Sequence, residues 1–174
     1  MMNETWPEGF RSRVLVVDDD PATRSLLEAL LQQDGLETAL AQSGEQALEF
    51  VREFRPHLIL LDLMMPGMTG FEVVQRLKMA AETRTIPIIL VTALEDRTSR
   101  LQALQAGAEE YLTKPIDQTD LRMRVRNLLK LKEFNELLPE SVPAGFEAGP
   151  KAVRGIFSAA KAFLPMAGSI GRAE

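Results

Sequence analysis

The sequence contains no cysteine and a single histidine, His57. Without thiols the chain can form no disulfide, no Cys-ligated zinc site and no thiol nucleophile, and this composition is typical of cytoplasmic proteins. One histidine excludes metal sites that need several, and it leaves little room for a Ser-His-Asp triad. No apolar run approaches the ~18 residues of a membrane span, and the opening MMNETWPEGFRS lacks the charged-then-apolar pattern of a secretory signal. We therefore expect a cytoplasmic location.

Positive charge is in the minority, with 20 Lys and Arg against 25 Asp and Glu in 174 residues and a net charge of −5 at pH 7. Nucleic acids attract proteins through basic surfaces, so this balance argues against a nucleic-acid partner. The hydrophobic share of 45% and the charged share of 26% are typical of soluble globular proteins. The length suits one domain plus an appendage.

Short apolar runs alternate with segments of helical spacing. The runs are 14–17, 36–41, 58–61, 86–91 and 111–112, and helical spacing links Leu26, Leu27, Leu30 and Leu31, then Ala47, Leu48 and Val51, then Leu101, Leu104 and Ala106. Five strand–helix units in about 120 residues predict an α/β fold, a parallel sheet with helices on both faces. Runs that are apolar throughout favour strands covered on both sides.

Turn and cap residues agree with this alternation. Asp20 precedes Pro21 as an N-cap precedes a helix, and Gly35 and Gly107 stand where left-handed C-caps belong. Two further pairs have capping-box spacing, Ser43 with Gln46 and Thr69 with Glu72. A long last helix is predicted at about 118–138, and the prolines that follow it predict a linker.

Three adjacent carboxylates end the first apolar run, in RVLVVDDDP, as Asp18, Asp19 and Asp20. Carboxylates are almost never buried without a partner, because like charges repel and burial disfavours their charged form. Ligands of open α/β sheets bind outside the carboxyl ends of the strands. At those ends the sequence also offers Asp62, Thr92 and Lys114.

A divalent cation would make such a group of carboxylates tolerable, and oxygen-only ligands favour Mg²⁺. With Mg²⁺ held by Asp19 and Asp62, Asp62 is predicted to attack phosphorus as a nucleophile and form an aspartyl phosphate. The Lys114 ammonium would share the charge of the transferring phosphoryl group, and the Thr92 hydroxyl would donate a hydrogen bond to it. Asp20 has a separate role as a helix cap.

Four segments, VLVVDDDP, LILLDLMMPGMTG, IPIILVT and YLTKP, together resemble the receiver domain of bacterial two-component response regulators. The resemblance covers about residues 12–131, with every key position filled in order. It implies a flavodoxin-like fold, a doubly wound five-stranded parallel sheet of order 2-1-3-4-5. It implies a signalling domain and not an enzyme. The only chemistry of such a domain is its self-phosphorylation and self-dephosphorylation.

The resemblance also assigns roles to single residues. Asp62 becomes the phosphoacceptor, and Thr92 and Lys114 contact the phosphoryl group. Tyr111 matches the family's switch aromatic, although a simple edge-strand aromatic is the alternative, and Pro115 matches a cis-proline turn. The implied Mg²⁺ ligands are Asp18, Asp19, Asp62 and the backbone carbonyl of Met64.

The implied phosphoryl donor is a histidine kinase or a phosphotransfer protein, which would supply the donor histidine. The sequence around His57 is not that of a kinase, so His57 is expected to be structural. The switched surface is the face made by the fourth helix, fifth strand and fifth helix, which would contact a downstream protein or form a homodimer. Apolar side chains at Met64 and Leu94 cannot orient a hydrolytic water well, so slow self-dephosphorylation is expected.

The expected organisation is a flexible N-terminus at 1–11, a receiver at 12–138, a linker at 139–150 and a basic amphipathic tail at 151–174. From Pro150 to Glu174 there are four basic residues and one acidic residue, a net charge of +3. Such a tail could contact an anionic membrane or a partner's groove, or it could pack on its own domain or stay disordered.

Three function classes remain open. A stand-alone phosphoacceptor that signals by protein contact is favoured. The short acidic chain argues against a DNA-binding transcription regulator. The third class is the receiver part of a cyclic-dinucleotide regulator whose output domain is missing, since LRMRVRNLLKLKEFNELL resembles the exit helix of such proteins.

Overall fold

The computed structural model describes residues 11–93 and 97–137. Within them, strands and helices alternate without exception, as the sequence predicts. The strands are β1 (Arg13–Val17), β2 (Glu37–Ala41), β3 (Leu58–Asp62), β4 (Ile88–Thr92) and β5 (Glu110–Thr113). The helices are α1 (Pro21–Gln33), α2 (Gly44–Phe54), α3 (Gly70–Met79), α4 (Arg97–Gln105) and α5 (Gln118–Leu137).

The five strands form one sheet in the order β2-β1-β3-β4-β5, with every neighbouring pair parallel. The predicted fold class and strand order are therefore confirmed. In this order β1, β3 and β4 are central, and their apolar runs are almost entirely buried. The edge strands β2 and β5 are more exposed, as expected where only one neighbour covers the backbone.

Helices cover both faces of the sheet, because successive side chains of a strand point to opposite sides. Leu15 and Val17 of β1 face a core that α2 and α3 complete. Val14 and Val16 face the other core, which α1 and α5 complete. Each core is a continuous apolar cluster, so the sheet is held as the middle layer of three.

Most of the predicted helix caps are present. The Asp20 side chain accepts hydrogen bonds from the backbone of Ala22 and Thr23, and Thr69 with Glu72 forms a complete capping box. The capping box predicted at Ser43 is incomplete, because the Gln46 side chain accepts from the Gln42 backbone at 2.8 Å. Ser43 still accepts from the Gln46 backbone.

Three leucines predicted to lie on core-facing helix stripes are exposed: Leu26, Leu101 and Leu104. Leu26 lies about 100° around α1 from Leu27, and only Leu27, Leu30 and Leu31 of that helix reach the core. Residues just beyond α4 supply the packing that its leucines do not, since Ala106 and Ala108 contact the core. Leu94, 1–10 and 138–174 lie outside the described residues, so the predictions made for them stay predictions.

An ion pair fastens the amino-terminal ends of β4 and β5. The Lys78 ammonium of α3 donates to Glu109 at 2.6 Å and to the Ile86 carbonyl at 2.9 Å. The other Glu109 carboxylate oxygen accepts from the Ile88 backbone at 2.7 Å. One pair of side chains therefore joins a helix, a connecting loop and two strands.

His57 fixes the start of β3 against the start of β1. Its Nδ1 accepts from the Arg13 backbone at 2.9 Å, and its own backbone N–H donates to the Arg13 carbonyl at 2.8 Å. Burial, followed by the nearby charges of Arg13 and Lys132, lowers the pKa of the His57 imidazole. The expected structural role of His57 therefore has a physical basis, because protonation of Nδ1 would remove its acceptor.

We expect the His57 ring to titrate below its ordinary pKa of about 6.5. A depressed folded pKa means that His57 contributes stability above the unfolded pKa, and that this stability is lost as pH falls through the folded pKa. NMR titration of the ring resonances measures this directly, because the chain has no other histidine. In His57→Asn, unfolding midpoints should lose this part of their pH dependence. A ring that titrates at or above the ordinary value would contradict the prediction.

Candidate functional site

Polar side chains gather at the carboxyl edge of the sheet. Asp18 follows β1, Asp62 ends β3, Thr92 ends β4 and Lys114 follows β5. Since all four strands are parallel, these positions meet at one edge. The convergence that the strand-end pattern predicts is therefore present in the structure.

Three carboxylates form the centre of this edge. One oxygen from each of Asp18, Asp19 and Asp62 lies within 4.8 Å of the others. Asp18 is 1% exposed and Asp62 4% exposed, while Asp19 is open to solvent. Two buried negative charges at this separation repel strongly unless cations compensate them.

Lys114 supplies one compensating charge. Its ammonium donates to Asp18 at 2.8 Å and to Asp62 at 3.4 Å. Burial acts to lower the pKa of Lys114, but the hydrogen bond to Asp18 and the Asp62 charge outweigh burial and raise it. Lys114 is therefore a firmly charged bridge between two of the three carboxylates.

The Asp62 carboxyl remains electrostatically strained. Its burial, followed by the like charge of Asp18, raises its pKa above the ordinary value, and Lys114 offsets only part of this effect. The Met64 backbone N–H donates to Asp62 at 3.2 Å. Asp62 is thus a buried carboxylate whose negative charge Lys114 compensates only in part, and a further cation would stabilise it.

Arg24 is a site residue that sequence reasoning missed. Its guanidinium reaches back from α1 and donates to the Asp18 backbone carbonyl at 2.5 Å. The Asp18 carboxylate accepts from the Asp20 backbone at 2.9 Å. The available signal was the position of an arginine in the second turn of the helix that follows the acidic run.

Close packing holds the loop that follows Asp62. The Gly70 backbone donates to the Leu63 carbonyl at 3.0 Å. A Cβ at Gly70 would lie 2.3 Å from the Asp62 carbonyl oxygen, closer than any side chain tolerates. Only glycine lets α3 approach the end of β3 this closely.

The remaining predicted residues lie on β4 and β5. Thr92 is buried, and its backbone carbonyl accepts from the Lys114 backbone at 2.8 Å. The peptide bond between Lys114 and Pro115 is cis, as the resemblance implies. Tyr111 is half-buried and packs against the core beneath α2 and α3.

The carboxylate cluster fits a hard divalent cation. All three donors are oxygens, two are buried, and a single ammonium bridges Asp18 and Asp62. Mg²⁺ prefers carboxylate ligands and keeps several waters, which exposed Asp19 would allow. The donor set therefore matches the predicted cofactor.

A family model described as the response regulator receiver domain matches residues 14–126. The chain belongs to the response regulator receiver family. Within two-component signalling it is therefore a receiver domain of the response regulators, as the sequence resemblance predicts.

Two curated relatives are named as response regulators. The chain is 44% identical to the response regulator PleD of Caulobacter vibrioides over 138 residues. This alignment covers 79% of the chain and 30% of PleD. The chain is 42% identical to the DNA-binding response regulator MtrA of Mycolicibacterium smegmatis over 124 residues. This alignment covers 71% of the chain and 53% of MtrA. The chain thus spans only part of the length of these relatives.

Solved receiver structures share the fold. The chemotaxis protein CheY4 of Vibrio cholerae aligns with a TM-score of 0.65 and 29% identity, over 68% of this chain and 99% of that one. A signal receiver domain of a histidine kinase from Syntrophus aciditrophicus aligns with a TM-score of 0.66 and 32% identity, over 78% of this chain and 99% of that one.

Among the described residues, no helix has the length and apolar character needed to cross a membrane.

We expect Arg24→Met to lower the free energy of unfolding of the receiver by about 1–2 kcal/mol, because it leaves a partly buried carbonyl without its charged donor. Urea denaturation followed by circular dichroism measures the loss. Arg76→Met on α3 is the matched control, since Arg76 is exposed. Equal stabilities of the two variants would show that the Arg24 contact is dispensable.

Proposed function

We propose that Asp62 accepts a phosphoryl group from a histidine kinase or a phosphotransfer protein, and that the new charge switches the surface by which this receiver contacts a downstream protein. The observation that carries the proposal is the buried pair Asp18 and Asp62, bridged by Lys114. A buried carboxylate with a raised pKa beside a fixed cation is characteristic of a reactive site. The exchange is proposed to take place in the cytoplasm, in keeping with a cysteine-free sequence.

In the proposed transfer, an ionised Asp62 oxygen attacks phosphorus in line with the leaving group. A P–O bond forms, the P–N bond to the donor histidine breaks, and its electron pair goes to the imidazole nitrogen. The Met64 N–H donates to the other Asp62 oxygen and would fix the orientation of the nucleophile.

The metal site is assigned to Asp18, Asp19, Asp62 and the Met64 backbone carbonyl. When bound there, Mg²⁺ would neutralise charge on the equatorial phosphoryl oxygens. Asp18 is held by Lys114, by the Asp20 backbone and, through its carbonyl, by Arg24. Exposed Asp19 is the ligand free to adjust on binding.

Lys114 and Thr92 are assigned to the phosphoryl group itself. The Lys114 ammonium already lies against Asp62, so a phosphoryl group on Asp62 would gain a charge-assisted hydrogen bond. The Thr92 hydroxyl, at the end of the neighbouring strand, would donate a second. Their backbones are hydrogen-bonded to each other, so the two groups would respond together.

The response is assigned to the surface of α4, β5 and α5. A Thr92 drawn toward the phosphoryl group would leave space that Tyr111 can enter, and this changes the face offered to a partner. A downstream protein is the expected partner, with a second copy of the receiver as the alternative occupant.

Intact mass after incubation with Mg²⁺ and acetyl phosphate tests the phosphoacceptor. Wild type is expected to gain one phosphoryl group, about 80 Da, and Asp62→Asn none, because the amide is not nucleophilic. Asp20→Asn is the matched control, since Asp20 is a neighbouring carboxylate that caps a helix. Gain of mass in Asp62→Asn would reject Asp62 as the acceptor. No gain in wild type, even with a panel of phosphorylated kinases, would reject the phosphoacceptor role.

The phosphorylated receiver is expected to lose its label slowly, over minutes or longer. The Met64 side chain is 62% exposed beside Asp62, and a thioether cannot orient an attacking water. Met64→Asn supplies a polar group there and should shorten the lifetime several-fold. Met79→Asn is the control, because Met79 is 86% exposed on α3. A time course of intact mass would contradict the prediction if wild type lost its label within seconds.

A second candidate is the receiver part of a longer regulator. The observation in its favour is that the chain spans 30% of PleD and 53% of MtrA. An output domain on the same reading frame would support this candidate. In that case the switched face would act on an attached domain and not on a separate protein.

A further inference from the structure

Of the three carboxylates at the carboxyl edge of the sheet, Asp19 is the one that no side chain holds. Asp18 accepts hydrogen bonds from the Lys114 ammonium and from the Asp20 backbone, and Lys114 also binds Asp62. Among the described residues, none donates a hydrogen bond to the Asp19 carboxylate, which is open to solvent. The place of Asp19 in the cluster therefore depends on the backbone that carries it.

Arg24 is hydrogen-bonded to the residues on both sides of Asp19. Its guanidinium donates from Nη1 to the Asp18 carbonyl at 2.5 Å, and its backbone N–H donates to the Asp20 carbonyl at 3.1 Å. A third bond closes the same loop, since the Asp20 backbone donates to the Asp18 carboxylate at 2.9 Å. A single residue of α1 thus ties down both neighbours of the exposed carboxylate.

The contact of the guanidinium is with the peptide group that joins Asp18 to Asp19. A peptide group is planar, so a bond that fixes its carbonyl oxygen also fixes the nitrogen and Cα of the following residue. On the other side, the Asp18 N–H donates to the Ala41 carbonyl of β2 at 3.2 Å. The direction in which the Asp19 side chain leaves the backbone is therefore set by the sheet and by Arg24 together.

We propose that Arg24 is a positioning residue for the divalent cation, which holds this peptide group so that the Asp19 carboxylate lies with those of Asp18 and Asp62. The inference rests on the cation site of the proposed function, and it adds a residue that belongs neither to the metal ligands nor to the groups assigned to the phosphoryl group. Partners that orient the ligands of a metal commonly set a large part of its affinity.

Arg24 would act on a cation in two ways that have opposite signs. As a positive charge beside the acidic run, its guanidinium opposes the binding of Mg²⁺, so its removal would raise the affinity. As the group that holds the peptide, it spares the Asp19 backbone from being ordered when the cation binds, so its removal would lower the affinity. We expect the second effect to be the larger.

Calorimetric titration with Mg²⁺ tests this role, and Arg24→Met is expected to raise the Kd about tenfold. Arg24→Lys should keep most of the wild-type affinity, because an ammonium can donate to the same carbonyl. Arg76→Met on α3 removes the same charge at an exposed position and should bind as wild type does. In Asp19→Asn, which lacks the carboxylate to be positioned, Arg24→Met should have no further effect on the Kd.

Urea denaturation with and without Mg²⁺ separates positioning from a merely structural role. A ligand of the folded state raises its stability by an amount that its Kd sets. A lost structural contact would therefore shift both curves alike, whereas lost positioning reduces the difference between them, and the reduction is expected in Arg24→Met.

Unchanged or tighter Mg²⁺ binding by Arg24→Met would overturn the role of Arg24 and leave the proposed phosphoacceptor function standing. An equal effect of Arg24→Met in the wild-type and Asp19→Asn backgrounds would overturn it as well, because Arg24 would then not act through Asp19. No binding of Mg²⁺ by wild type would reject the cation site itself, and this inference with it.

Discussion

The repulsion between Asp18 and Asp62 is the constraint on which the rest of this receiver depends. Both carboxylates are buried, and Lys114 bridges them without fully compensating their charge. A folded protein keeps such an arrangement only if the surrounding structure is rigid enough to hold it. The two apolar layers around β1 and β3 provide that rigidity, since both strands are buried on both faces. A cation that reached this edge would therefore meet the Asp18 and Asp62 carboxylates already in position.

The architecture follows from sequence patterns that are local. Apolar runs bounded by caps predict strands and helices, and parallel topology then brings the strand ends together. Asp18, Asp62, Thr92 and Lys114 could be found in this way because each directly follows or ends a strand. The roles given to them come from the family resemblance and stay predictions until phosphorylation is measured.

Other features could not be predicted because they depend on long side chains that cross between elements. Arg24 reaches the Asp18 carbonyl from α1, and no sequence pattern states where a guanidinium will point. Ser43 and Gln46 have capping-box spacing, yet the Gln46 side-chain oxygen accepts from the Gln42 backbone N–H and not from that of Ser43. Spacing does not say which of two neighbouring backbone donors a side-chain amide will bind. Leu26 was misplaced for a different reason. Helical spacing alone does not say which of two adjacent leucines faces the core, and in α1 it is Leu27.

The Lys78 and Glu109 pair has a mechanical consequence. It clamps the amino-terminal ends of β4 and β5 to α3, while Thr92 and Lys114 stand at the opposite ends of the same strands. The two strands are paired along their whole length, and the ion pair adds a further hold at their amino-terminal ends alone. A displacement that begins at Thr92 would therefore fade before it reaches Glu109.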